Sequence, residues 1–115
     1  MENINKASSA KYLNAISSHL KGKGYEILAT VEDPEKSISL VCSDDGDLVF
    51  VSSFYGEGQF PEPEPESIRP QVEREAVELI LEHDFPLGQA RFDIVSLMIA
   101  GDHKAILRHH IDALQ

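Results

Sequence analysis

The side chains of this 115-residue chain that could do chemistry lie in a few short clusters. Hydroxyls recur in Ser37-Ile38-Ser39 and in Ser52-Ser53. A serine nucleophile needs a base oriented by an acid, and a sharp turn that presents it. Neither cluster has such neighbours. Local hydrogen bonding within strands is the plainer reading, with a polar pocket for a small ligand or water as its rival. His103, His109 and His110 could be taken for metal ligands. In a strand, however, adjacent His109 and His110 point to opposite faces and cannot chelate one ion together. The single thiol, Cys42, excludes an internal disulfide and a zinc site built from several thiolates, and it sits in an apolar run as a small core residue. Asp44-Asp45-Gly46-Asp47 has the look of a calcium loop. It lacks the later bidentate glutamate and the flanking helices, so turn chemistry explains it better. Arg91 and Asp93 alternate about Phe92 and are expected to face solvent or to pair with neighbours.

Charge narrows the partners. Ten Lys and Arg against twenty Asp and Glu give a formal charge of −10. So acidic a surface repels phosphate backbones, which leaves weak nucleic-acid binding or none. Five of the basic residues, Lys6, Lys11, Lys21, Lys23 and Lys36, fall in the first third and allow at most a small basic patch there. No stretch approaches the roughly 18 apolar residues that a spanning helix needs. Met1 to Lys11 lacks an apolar signal core. The expectation is one cytoplasmic domain over residues 1–115 with no membrane segment.

The elements that must position these groups follow from periodicity. Ala10, Leu13, Ile16 and Leu20 form one apolar stripe, so a helix is predicted from about Ser9 to Lys21, capped by Ser8 or Ser9 and ended by Gly22 and Gly24. Tyr25 to Val31 reads as a strand, and Glu32-Asp33-Pro34-Glu35 as a turn. Ser37–Ser43 and Leu48–Tyr55 flank Asp45-Gly46, a hairpin signal because a primed turn needs positive φ at both central residues. Counting outward from it pairs Asp44 with Asp47, Ser39 with Ser52 and Ser37 with Phe54. Ile38, Leu40 and Cys42 should then share one face, and Val41, Leu48 and Phe50 the other, as in strands covered on both sides. Gly56 to Glu66 alternates proline with glutamate and reads as an extended acidic loop. Pro70 suits the first turn of a helix running to about His83. Its buried stripe would be Ile68, Val72, Ala76, Leu79 and Ile80, and Glu73, Glu75, Glu78 and Glu82 would form its outer surface. Arg91–Ala100 and Ala105–Ile111 read as strands joined by a turn at Gly101-Asp102-His103-Lys104. The predicted class is α/β (mixed α+β), ordered α-β-β-β-α-β-β, with a mixed sheet flanked by helices.

Gly24-Tyr25-Glu26-Ile27-Leu28-Ala29, the hairpin ending Asp47-Leu48-Val49-Phe50-Val51, then Arg91-Phe92-Asp93-Ile94-Val95 and finally His110-Ile111-Asp112-Ala113-Leu114 occur in an order that resembles the YraN family of small bacterial proteins. The resemblance covers nearly the whole chain and implies a restriction-endonuclease-like (Holliday-junction-resolvase-like) core. In that family the second strand resembles Gly-Glu-Ile-Asp-Leu and the third Val-Phe-Val-Glu-Val-Lys. The implied chemistry is metal-assisted phosphodiester hydrolysis, with an Asp and a Glu holding Mg²⁺ and a Lys stabilising the developing charge.

At those positions this chain carries Ser37, Ser39, Ser52 and Phe54. Neutral hydroxyls cannot offset the dehydration of a hard divalent cation, and the loss of one preorganised charge-stabilising group alone costs roughly 3–4 kcal/mol of barrier. The resemblance therefore implies an inactive, degenerate endonuclease-like domain with no catalytic residue, cofactor or metal. It would bind or scaffold a protein partner or its own twin. The rival is a Mg²⁺-dependent DNA endonuclease with relocated groups, for which Glu26, Lys36, Glu57 and Asp93 are the nearest candidates. A basic-partner inhibitor or nucleic-acid mimic is a third reading, resting on acidity alone.

Overall fold

The computed structural model describes residues 5–7, 9–86, 88–101 and 104–114. Its elements are β1 (Asn5–Lys6), α1 (Ala10–Gly22), β2 (Glu26–Thr30), β3 (Ile38–Asp44), β4 (Asp47–Glu57), α2 (Pro65–Glu82), β5 (Ala90–Ala100) and β6 (Lys104–His110). Among the described residues the strands form one six-stranded mixed sheet ordered β2-β3-β4-β5-β6, with β1 pairing to β4. The α/β class expected from the sequence is found. β2, β3 and β4 form an antiparallel meander, and β4 and β5 run parallel. A parallel pair needs a crossover connection, which α2 supplies. β1 escapes periodicity because it is too short to show any. It lies against Phe54 and Tyr55 of β4, just beyond the stretch of β4 that pairs with β3.

Each face of the sheet is covered by one helix. Ser9 caps α1 through its Oγ, which accepts from Tyr12 N at 3.3 Å, and the helix buries Leu13, Ile16 and Leu20. Ile16 and Leu20 pack with Leu40, Cys42, Val49, Val51, Val95 and Leu97. On the opposite face Val72 and Ala76 of α2 pack with Ile38, Val41, Phe50, Phe54 and Ile94. Strand alternation sends neighbouring residues to opposite layers, which is why β3 and β4 read as apolar on both faces. The turn at Asp45 (φ 50°) and Gly46 (φ 89°) has the expected primed geometry. Gly88 lies against its backbone, and a Cβ there would stand 2.1 Å from the Gly46 carbonyl oxygen.

Several expectations need correction. The hairpin register holds from Asp44↔Asp47 to Leu40↔Val51, and a β-bulge then pairs Ile38, not Ser39, with Ser52. An extra residue in one strand flips everything beyond it. Ile38 therefore belongs to the α2 layer, while Leu40 and Cys42 belong to the α1 layer. Ser37 lies outside β3 and does not pair with Phe54. Helix α2 starts at Pro65, and Pro70 lies inside it. A proline at the first helical position is preorganised for helix, so the helix begins inside the segment that composition marks as loop. Ile80 is 40% exposed, and Glu75, expected on the outer surface, is 4% exposed. Ser8, Asp102, His103 and the residues before Asn5 lie outside the described residues.

Candidate functional site

On the α1 face a cluster of charged and polar side chains converges on Asp93, which is 1% exposed. β5 carries Arg91 and Asp93 two residues apart, hence on one face, the α1 face shared with Val95 and Leu97. Tyr25, placed at the end of α1 by the Gly24 turn, directs its hydroxyl there, and β6 contributes His109. Asp93 Oδ2 accepts from Tyr25 Oη at 2.9 Å, Arg91 Nη2 at 3.1 Å and His109 Nε2 at 2.9 Å. Oδ1 accepts from Arg91 Nε at 3.0 Å and Asp112 N at 3.0 Å. A carboxylate offers about four lone-pair positions, so all of them are engaged. Arg91 also donates to Tyr25 Oη, to Asp44 Oδ2 at 2.9 Å and to Asp47 Oδ2 at 3.5 Å, and its guanidinium lies 5.4 Å from the centre of the Tyr25 ring.

The electrostatics follow from this arrangement. Burial alone would raise the Asp93 carboxyl. The donors His109, Arg91, Asp112 and Tyr25 outweigh it and hold the group well below the usual carboxylate range. Burial would lower Arg91, yet its bonds to Asp93 and Asp44 hold it above its ordinary value. Burial, followed by the bond to Asp93, pushes the Tyr25 hydroxyl up, and burial pushes the Cys42 thiol up to about 12. A carboxylate held so low is a weak proton acceptor, and its lone pairs are already committed to donors. Asp93 instead ties the hairpin end of the sheet, the end of α1 and the chain after β6 to one strand. His19 stands edge-on to His109 at 5.4 Å, its Nε2 buried without a partner among the described residues.

Of the positions that the resemblance marks for metal chemistry, Ser52 and Phe54 lie on the other face. Ser52 alternates with Phe50 and Phe54 and so points to the α2 layer. It pairs with Ile94 on β5, next to Asp93, yet Asp93 points away through the sheet. Phe54 is 7% exposed and part of the core. Ser39 and Ser53 are buried, with neither Oγ partnered among the described residues. Ser53 falls on the α1 face, in step with Val51.

Two charged groups of this layer gave no sequence signal. Glu75 reaches across from α2 and accepts from Ser37 N and Ile38 N, each at 2.9 Å from Oε1, and from Gln71 Nε2 at 2.7 Å. It thereby satisfies backbone donors where β3 begins. Lys6, opposite Phe54 in the β1–β4 pairing, donates to the carbonyls of Asp33 and Lys36. Burial lowers its ammonium, against the raising effect of Glu75 and Asp33.

The relocation candidates do not come together. Glu26 is exposed on β2 beside Ser43, and Lys36 pairs with Glu78 at 3.6 Å. Glu57 is exposed at the end of β4, and Asp93 is the buried hub. His109 faces inward and His110 is exposed, as alternation predicts. Among the described residues no group of three or more His, Cys, Asp or Glu could hold a metal ion. No helix among them is long and apolar enough to cross a membrane. The tract before α2 borders a groove of about 330 Å³ with Ile94, Ser96, Arg108 and His110, and Arg108 lies 4.1 Å from the centre of the Phe60 ring.

Compared with known proteins, the chain matches no protein-family model and no curated sequence.

Proposed function

We propose that this chain is a non-catalytic module that binds or scaffolds a protein partner on an endonuclease-like framework of the YraN kind. One observation carries the reading. At the positions where the resemblance calls for metal-binding acids and a lysine, the α2 layer holds the buried hydroxyl of Ser52 and the core ring of Phe54, and the buried carboxylate that α2 contributes, Glu75, is fully engaged with backbone N–H groups and Gln71. A carboxylate that caps a strand cannot also give up its donors to a hard cation without unfastening that strand. The surviving acid of the Arg-Phe-Asp run faces the other way and is saturated. The charge of −10 supports a protein partner over nucleic acid, and a cytoplasmic location goes with this reading.

A second reading, a Mg²⁺-dependent nuclease with relocated groups, has its own support in Lys6, which pairs with Phe54 across β1 and β4 and whose ammonium feels the charge of Glu75. Incubation with single-stranded, duplex and branched DNA in Mg²⁺ or Mn²⁺ decides between them. The binding-module reading expects no chelator-sensitive cleavage. Cleavage that chelator abolishes, and that is lost in folded Glu75→Gln or Lys6→Met, would replace it with the nuclease.

A further inference from the structure

Helix α2 carries an apolar stripe turned away from its own core. Val77 is 57% exposed, Leu81 is 81% exposed and Ile80 is 40% exposed. Spacings of three and four residues place them side by side on one helical face. The buried stripe of the same helix, Val72 and Ala76, already covers the sheet, so the outer stripe is additional to what the fold needs. Scattered exposed apolar residues are ordinary, but a contiguous stripe with a charged border marks an interaction surface. The border here is mainly acidic: Glu73, Glu78 and Glu82 are exposed around it, with Arg74 exposed among them and Lys36 paired to Glu78 at 3.6 Å.

We propose that this face of α2 docks an amphipathic segment of a partner protein whose apolar ridge is flanked by lysines and arginines. The proposal rests on the binding-module reading and names its partner class. Charge complementarity selects the occupant. A second copy would set the same acidic border against itself, on a chain of net charge −10, and like charges across an interface suppress pairing. An anionic membrane or a nucleic acid meets the same repulsion. A basic amphipathic segment gains both apolar burial and opposite charge on such a face.

The test uses the full chain and a labelled 18-residue helical peptide, with leucines at helical spacing flanked by lysines. Controls are the same peptide with glutamates for lysines, anionic vesicles, and sedimentation of the protein alone. The expected result is binding of the lysine peptide that Val77→Glu and Leu81→Glu each weaken at least tenfold, although each variant makes the face more acidic. Absence of binding, tighter binding to the variants, or equal capture of the glutamate peptide would overturn the proposal. So would vesicle binding, or a concentration-dependent dimer, that Leu81→Glu abolishes. Both positions are exposed, so the variants keep the fold, which circular dichroism checks. Peptide binding that fails while DNA stays intact sinks the docking face alone, whereas chelator-sensitive DNA cleavage sinks the module reading whatever the peptide does.

Discussion

The two faces of the sheet treat charge in opposite ways. On the α1 face the chain keeps a buried ion cluster and completes it: Asp93 has five donors, and Arg91 bridges three carboxylates. On the α2 face, at the neighbouring rung of the same ladder, the chain holds neutral Ser52 and apolar Phe54, and its buried acid, Glu75, serves the backbone. The difference teaches what a buried charge requires. Desolvation costs several kcal/mol per ion, so a charge persists inside only where partners surround it or function demands it. On the α1 face partners surround it.

The largest effect should come from breaking the completed cluster. Asp93→Ala leaves Arg91 and the Tyr25, His109 and Asp112 donors without their acceptor, and should cost about 3–5 kcal/mol in urea unfolding. Asp93→Asn should recover part of that loss, because it keeps the shape and one oxygen. A cost below about 1 kcal/mol for Asp93→Ala would show that the α1 face is no more dependent on its charge than an exposed pair.

The next test puts charge on the other face. Ser52→Glu buries a carboxylate among the apolar side chains of the α2 layer and should destabilise the chain by about 2–3 kcal/mol at neutral pH. Burial raises its pKa above that of an unfolded glutamate, so the penalty is smallest in acid and grows as pH rises through the ordinary carboxylate range. Combining Ser39→Asp, Ser52→Glu and Phe54→Lys sharpens the comparison: a rise in melting temperature on adding Mn²⁺, absent from the unsubstituted chain, would give this layer the geometry of a metal site. No rise would leave it a plain core.

Glu75→Gln should cost about 1–3 kcal/mol, since one charged acceptor of several donors becomes a neutral amide with one accepting oxygen. Amide exchange at Ser37 and Ile38 should accelerate ahead of exchange in β4. Equal acceleration everywhere would mean that Glu75 stabilises the whole fold and does not specifically fasten β3.

The smallest effects are those of pH on the intact chain. Asp93 is held below the usual carboxylate range, so its contribution is present above an unfolded aspartate's pKa of about 4 and is lost as pH falls through the lower folded value. Asp93→Asn should flatten the acid limb of the stability profile. His19 is also lowered, by burial first and then by His109 and Lys23. Its neutral ring is favoured in the fold, so that contribution is complete above about pH 6.5 and falls as pH drops through the folded value. His19→Gln should remove this weaker slope between neutral and mildly acid pH. An unchanged slope would assign it to another group.

Much of the frame was legible in the residues. The stripe of Leu13, Ile16 and Leu20, the Asp45-Gly46 turn and the two-sided apolar pattern of β3 and β4 are local signals, each decided within a few residues by periodicity or by φ preference. Arg91 and Asp93 could be seen to share a face, but whether they met water or partners could not. The bulge at Ser39 had no local mark, and it moved Ile38 to the other layer. The helix start at Pro65 was masked by a proline-glutamate tract whose composition reads as loop.

What the sequence by itself determined is the alphabet of elements and the neutral character of Ser37, Ser39, Ser52 and Phe54, because side-chain identity and short-range periodicity are written directly in it. What only the tertiary structure decided is which charges are complete. Tyr25, Asp44, Arg91, Asp93 and His109 come from four strands or their ends, and Glu75 meets Ser37 and Ile38 across a separation of 37–38 residues. Such contacts follow from how the sheet and helices pack, and no local pattern encodes them: a donor's partner is set by distance through the fold, not along the chain.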